Sequence, residues 1–91
     1  RLAALMAAGI RPRDASIQNA LAGTLAREKK SREALVHAGL AAELQPTNAE
    51  YMATLGYLWA ENGRPQEAFE AFKRALQIDP NNARALEGAK T

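Results

Sequence analysis

Residues 49–82 read AEYMATLGYLWAENGRPQEAFEAFKRALQIDPNN, and this stretch decides the fold class. Met52, Leu55, Gly56 and Trp59 recur at helical spacing, so one face is apolar with a single small residue set into it. Asn62-Gly63 ends that helix, because glycine takes the left-handed conformation found just past a helix C-terminus. Pro65 suits the first turn of the next helix, where its missing N–H is not needed. In that second helix Ala68, Phe69, Phe72, Ala75, Leu76 and Ile78 lie mostly along one stripe. Pro80 bars further helix, since it lacks the donor and biases Asp79 away from helical geometry. Two amphipathic helices joined by a tight turn are expected.

The same grammar stands 34 residues earlier, where residues 15–48 read ASIQNALAGTLAREKKSREALVHAGLAAELQPTN. Ala15 matches Ala49, Leu21 matches Leu55, Ala26 matches Ala60, and Glu33-Ala34 matches Glu67-Ala68. Ala41 matches Ala75, and Pro46 and Asn48 match Pro80 and Asn82. Ala22 stands for Gly56, Leu25 for Trp59 and Leu44 for Ile78.

A helix–turn–helix unit with this period is the mark of tetratricopeptide repeats, and the sequence resembles that family over nearly its whole length. The family pattern is Trp-x-x-Leu-Gly-x-x-Tyr, then spaced Ala, aromatic, Ala and Pro. Here it stands as Met52, Leu55, Gly56 and Trp59, then Ala68, Phe72, Ala75 and Pro80. The resemblance implies an all-α fold, an α-solenoid of antiparallel helix pairs in a right-handed superhelix. About two full repeats with flanking partial-repeat helices are expected.

In that division residues 15–48 and 49–82 are the repeats. Pro12, Ala7 and Ile10 occupy the slots of Pro46, Ala41 and Leu44, so residues 1–14 read as the second helix of a preceding partial repeat. Residues 83–91 start a further or capping helix, with Leu86 in the slot of Met52 and Ala89-Lys90 replacing the Leu-Gly pair. The chain begins with Arg1, and it reads as a piece of a longer array.

Composition agrees. Ninety-one residues make one domain at most, near the size where stability is marginal. No segment approaches the roughly 18 consecutive apolar residues of a membrane span, and no signal peptide is visible. The absence of cysteine excludes a disulfide framework and a thiolate metal site, and it fits cytosol and periplasm alike. Abundant alanine favours helix and close helix–helix approach, and gives the composition a bacterial cast that decides nothing about function. The formal charge of +2 is too small to indicate nucleic acid or an anionic membrane as partner.

Along the chain, Asp14 or Ser16 is expected to cap a helix over about 15–28 that buries Ile17, Leu21, Leu25 and Ala22. Gln18 holds the slot where the family prefers tryptophan, so this unit should pack less tightly than the next. Lys29 stands in the slot of Gly63 and must turn left-handed, at a cost of roughly 1–2 kcal/mol. Ser31 is expected to cap the following helix, about 32–45. Gly39 within it should serve close approach of a neighbouring helix, and His37 should be exposed. Arg27, Lys29, Lys30 and Arg32, with Glu28 and Glu33 among them, read as a solvated turn in preference to a docking patch for an acidic partner or a phosphate.

No catalytic, cofactor-binding or metal site is expected. A nucleophile needs a base and an orienting group, and Ser16, Ser31 and His37 fall on different helices or turns. His37 has no second histidine, cysteine or carboxylate at ligand spacing, and no glycine-rich phosphate loop occurs. Nucleic-acid binding would call for denser basic charge interleaved with aromatics.

What remains is recognition of a protein or peptide partner. The resemblance implies that first helices line a concave groove, which by position would present Ser16, Asn19, Gly23, Ala26 and Arg27. Glu50, Ala53, Thr54, Tyr57 and Glu61 would follow, then Arg84 and Glu87. Asn19, Arg27, Glu50, Thr54, Tyr57, Glu61 and Arg84 are the candidate protein-binding set. Tyr57 either serves as a hot spot or covers a neighbouring helix. Glu50 and Glu61 oppose the grip on a C-terminal carboxylate that some relatives use. Leu2, Leu5 and Met6 either pack against the helix beginning near Ala15, which is the leading reading, or form a self-association face at the open end, giving a homo-oligomer. The leading expectation is an interaction or scaffolding module; the alternatives are an accessory region of a larger enzyme or secretion machine, and a self-association element.

Overall fold

An acid or its amide stands just before every second helix, at positions 14, 48 and 82, and sets the rhythm of the structure. The computed structural model describes residues 14–90. Within them lie helices α1 (Ala15–Arg27), α2 (Ser31–Leu44), α3 (Ala49–Glu61), α4 (Pro65–Ile78) and α5 (Ala83–Lys90), with no strand among the described residues. Asp14 accepts from the Ser16 N–H at 3.1 Å and from its hydroxyl at 2.8 Å. Asn48 accepts from the Tyr51 N–H at 3.0 Å, and Asn82 from the Ala85 N–H at 2.9 Å. Each cap satisfies a helix N–H that has no partner within its own helix.

The turns after α1 and α3 are built alike. The Lys29 N–H donates to the Ala26 carbonyl and the Lys30 N–H to the Leu25 carbonyl, at 3.0 and 2.9 Å. Gly63 and Arg64 repeat both bonds onto Ala60 and Trp59, at the same distances. This pair of bonds requires a left-handed residue in the middle, and both are left-handed, Lys29 with φ 67° and Gly63 with φ 75°. The expectation for Lys29 therefore holds. Pro65 opens α4 as expected. Ser31 does not cap α2: the turn closes so tightly that Lys30 takes the cap position, without a side-chain bond, and Ser31 is already the first helical residue. Its carbonyl instead accepts from the Asn62 amide at 3.0 Å, which also donates to the Leu58 carbonyl at 2.8 Å and so ties the end of α3 to the start of α2.

Consecutive helices pack as hairpins, α1 on α2 and α3 on α4, and the hairpins stack through α2 on α3 and α4 on α5. The result is an all-α helical repeat. Two apolar clusters hold it together. One gathers Met52, Ala53, Ala68, Phe72, Ala75 and Ala85 with Leu55, Trp59 and Leu76 packed against them. The Phe72 ring lies against two glycines: a Cβ on Gly56 would stand 2.8 Å from the ring, and one on Gly88 would overlap it. The other cluster joins Ala22, Ala34 and Ala38 to Leu58, the largest fully buried side chain.

Several burial expectations change. Ile17 and Leu21 remain 47% and 41% exposed, because α2 and α3 meet α1 on its alanine face, where Ala22 is fully buried and Leu25 partly so. Phe69 and Ile78 are exposed at the margin of the α4 stripe. Gly39 has no atom of the described residues within 4 Å of where its Cβ would stand, so none of the described helices approaches it closely. The Leu2, Leu5 and Met6 face and the rest of residues 1–13 lie outside the described residues. Among those described, no helix is long and apolar enough to cross a membrane.

Candidate interaction groove

Helices α1, α3 and α5 lie side by side, and their outward residues enclose a cavity of about 300 Å³. Six of the seven residues in the candidate protein-binding set line it: Asn19 and Arg27 from α1, Glu50, Thr54 and Tyr57 from α3, and Arg84 from α5. Gly23 and Ala26 keep the α1 side low. Glu61 is exposed and lies outside the cavity, and Ala53 turns fully into the core.

Polar groups inside the cavity are arranged around Glu50. Its carboxylate meets the Arg84 Nε at 3.4 Å and accepts from the Asn82 amide at 3.2 Å. The Arg84 guanidinium also stands 5.9 Å from the centre of the Tyr57 ring. Both charged side chains are about half exposed, where such pairs contribute ~1 kcal/mol or less, so the arrangement orients groups more than it stabilises the fold. Thr54 is buried, and its hydroxyl donates to the Glu50 carbonyl at 3.0 Å. The Asn19 side-chain oxygen is buried and has no hydrogen-bond partner among the described residues. A buried acceptor left unpaired is costly, and few occur in native folds.

The slot left open by Gln18 is resolved by a pairing that the sequence analysis missed. Gln18 is buried, and its side-chain oxygen accepts from the His37 Nδ1 at 2.6 Å, across the α1–α2 interface. His37 is thus half-buried and not exposed. A polar side chain fits at an aromatic slot because its partner is polar too. Among the described residues no group of three His, Asp or Glu side chains is placed to hold a metal ion. The basic turn at Arg27, Lys29, Lys30 and Arg32 is exposed, with Lys30 3.8 Å from Glu28.

Residues 49–82, the α3–α4 hairpin with its flanking caps, match the Tetratricopeptide repeat family. This part of the chain is a tetratricopeptide repeat. Over 46 residues, half of the chain, the sequence is also 35% identical to Protein CTR9 homolog of Arabidopsis thaliana. The match covers 4% of that protein, so the chain is similar to a small part of a far longer relative. Tetratricopeptide repeats generally mediate protein–protein interaction and are generally not enzymes.

Proposed function

We propose that the cavity between α1, α3 and α5 is a groove that receives an extended peptide segment of a partner protein. The observation that carries this reading is the side-chain oxygen of Asn19, a residue of the cavity wall: it is a buried acceptor with no partner among the described residues. With its side chain turned toward the groove, Asn19 accepts from a peptide N–H laid along it, which supplies the missing donor. Tyr57, 41% exposed and steadied by Arg84, offers a flat apolar surface with little conformational freedom to lose. The mixed signs of Arg27, Glu50 and Arg84 suit a segment whose backbone is gripped and whose side chains carry few like charges.

The test is affinity capture from the source lysate with the intact chain and with a Tyr57→Ala, Arg27→Glu double variant, followed by titration calorimetry on the captured segment. A protein retained by the first and lost by the second supports the groove. Asn19→Ala should then weaken binding about tenfold with little change in melting temperature. Equal retention by both proteins would remove the groove as the binding surface.

A further inference from the structure

A larger depression, of about 1000 Å³, runs between α2 and α4, the two helices that take no part in the groove above. Its walls are unlike. On α2, Val36, Gly39, Leu40 and Glu43 follow helical spacing and share one face. Val36 is 62% exposed and Leu40 39% exposed, so this wall is aliphatic and open to water. On α4 the corresponding face carries Glu67, Glu70 and Arg74. Leu55 and Trp59 of α3 line the space as well, both partly buried.

Two features have no explanation among the described residues. Glycine in a helix interior weakens the helix relative to alanine, yet Gly39 lines this space and nothing stands within 4 Å of its missing Cβ. At Gly56 and Gly88 the same saving of volume is filled by the Phe72 ring. The rim also carries more acid than base, with Glu43, Glu67 and Glu70 against Arg74: Glu67 is held by Arg64 at 3.1 Å, while Glu43 and Glu70 form no ion pair among the described residues. A depression between two helices with walls at helical spacing is shaped for a third helix.

We infer that the α2–α4 depression is a second docking site, for an amphipathic helix of a partner protein. Its apolar stripe crosses Gly39 between Val36 and Leu40, and its lysine or arginine flank faces Glu43 and Glu70. The aliphatic wall sets which face of the helix turns inward, and the acidic positions set which flank turns toward α4.

Trp59 is the only tryptophan of the chain, so its emission reports occupancy of this space. The probe is a synthetic tryptophan-free peptide with leucines along one helical face and lysines on one flank. A second peptide carries glutamates in place of the lysines. The full chain should show a saturable blue shift with the lysine peptide and bind the glutamate peptide at least about tenfold more weakly. Gly39→Leu should abolish the shift while leaving the melting temperature unchanged or raised, because the added side chain meets open space. A Glu43→Lys, Glu70→Lys double variant should invert the preference between the two peptides. Tyr57→Ala with Arg27→Glu should change nothing, which separates this site from the groove of α1, α3 and α5. No saturable shift, or undiminished binding by Gly39→Leu, would overturn the inference. So would concentration-dependent mass in sedimentation that Gly39→Leu removes, since the occupant would then be a second copy of the chain.

Discussion

The hairpins α1–α2 and α3–α4 have a side-chain cap at the same position, the same turn and the same helix lengths, yet they are filled differently. In α3–α4 one large ring, Phe72, sits over Gly56 and reaches Gly88 of the next helix. The slots 34 residues earlier hold Ala38, Ala22 and Thr54, so the large residue has become small and both glycines have gained side chains. Leu58, arriving from the neighbouring hairpin, completes the space beside Ala22, Ala34 and Ala38. At the position of Met52, α1 carries Gln18, paired with His37. The comparison shows that what is kept from hairpin to hairpin is backbone geometry and total volume, while individual residues are exchangeable in compensating sets.

Removing the ring tests this most severely. Phe72→Ala should cost about 3–5 kcal/mol, because glycines on either side have no Cβ with which to close the void. That approaches the whole stability of a domain this size, on the order of 5 kcal/mol, and urea unfolding followed by circular dichroism will read it. A loss below about 1 kcal/mol would break the comparison, since the ring would then be dispensable.

Leu58→Ala comes next, at about 3 kcal/mol, and acts on the seam between hairpins. Hydrogen exchange should show α1 and α2 losing protection before α4, as expected where units touch mainly their neighbours. Uniform loss of protection would mean the hairpins do not unfold as separate units.

Importing the aromatic into the first hairpin should fail in an instructive way. Ala38→Phe is expected to destabilise by about 1–3 kcal/mol through overpacking against Ala22 and Leu58. Adding Ala22→Gly and Thr54→Gly should recover part of the loss in thermal melts. Without that recovery, compensation of volume is not what relates the two units.

The smallest effect is at the turns. Lys29→Gly should stabilise by about 0.5–1 kcal/mol by relieving a left-handed lysine, and Gly63→Lys should destabilise by about 1 kcal/mol. Urea midpoints measured on both variants sharpen the claim that the turns are the same structure. Opposite signs are the required outcome.

Much of this architecture is legible in the residues. The Asn62-Gly63 and Pro80 punctuation, a cap at Asp14 or Ser16, of which the structure uses Asp14, and the left-handed Lys29 all follow from the chain and its period. The site is partly legible for the same reason: the period assigns Asn19, Arg27, Glu50, Thr54, Tyr57 and Arg84 to first helices, and first helices come together. Other features leave no local trace. Leu58 lies beside the Met52, Leu55 and Trp59 stripe and looks no more buried than its neighbours; only Ala34 and Ala38, on another hairpin, make room for it. Ile17 and Leu21 carry the same apolar signal as buried residues but meet no covering helix among those described.

By itself, then, the sequence determined where helices begin, turn and end, because caps, glycines and prolines act on φ, ψ and hydrogen bonds within a few residues. It also determined the repeat, since a hydrophobic period survives substitution of individual residues. The tertiary structure decided which apolar residues are covered, how Gln18 is paired, why Gly56 is needed, and that among the described residues the Asn19 oxygen stays unpaired and the Gly39 space open. Those outcomes depend on what another helix places opposite, and packing at that range has no expression in local spacing.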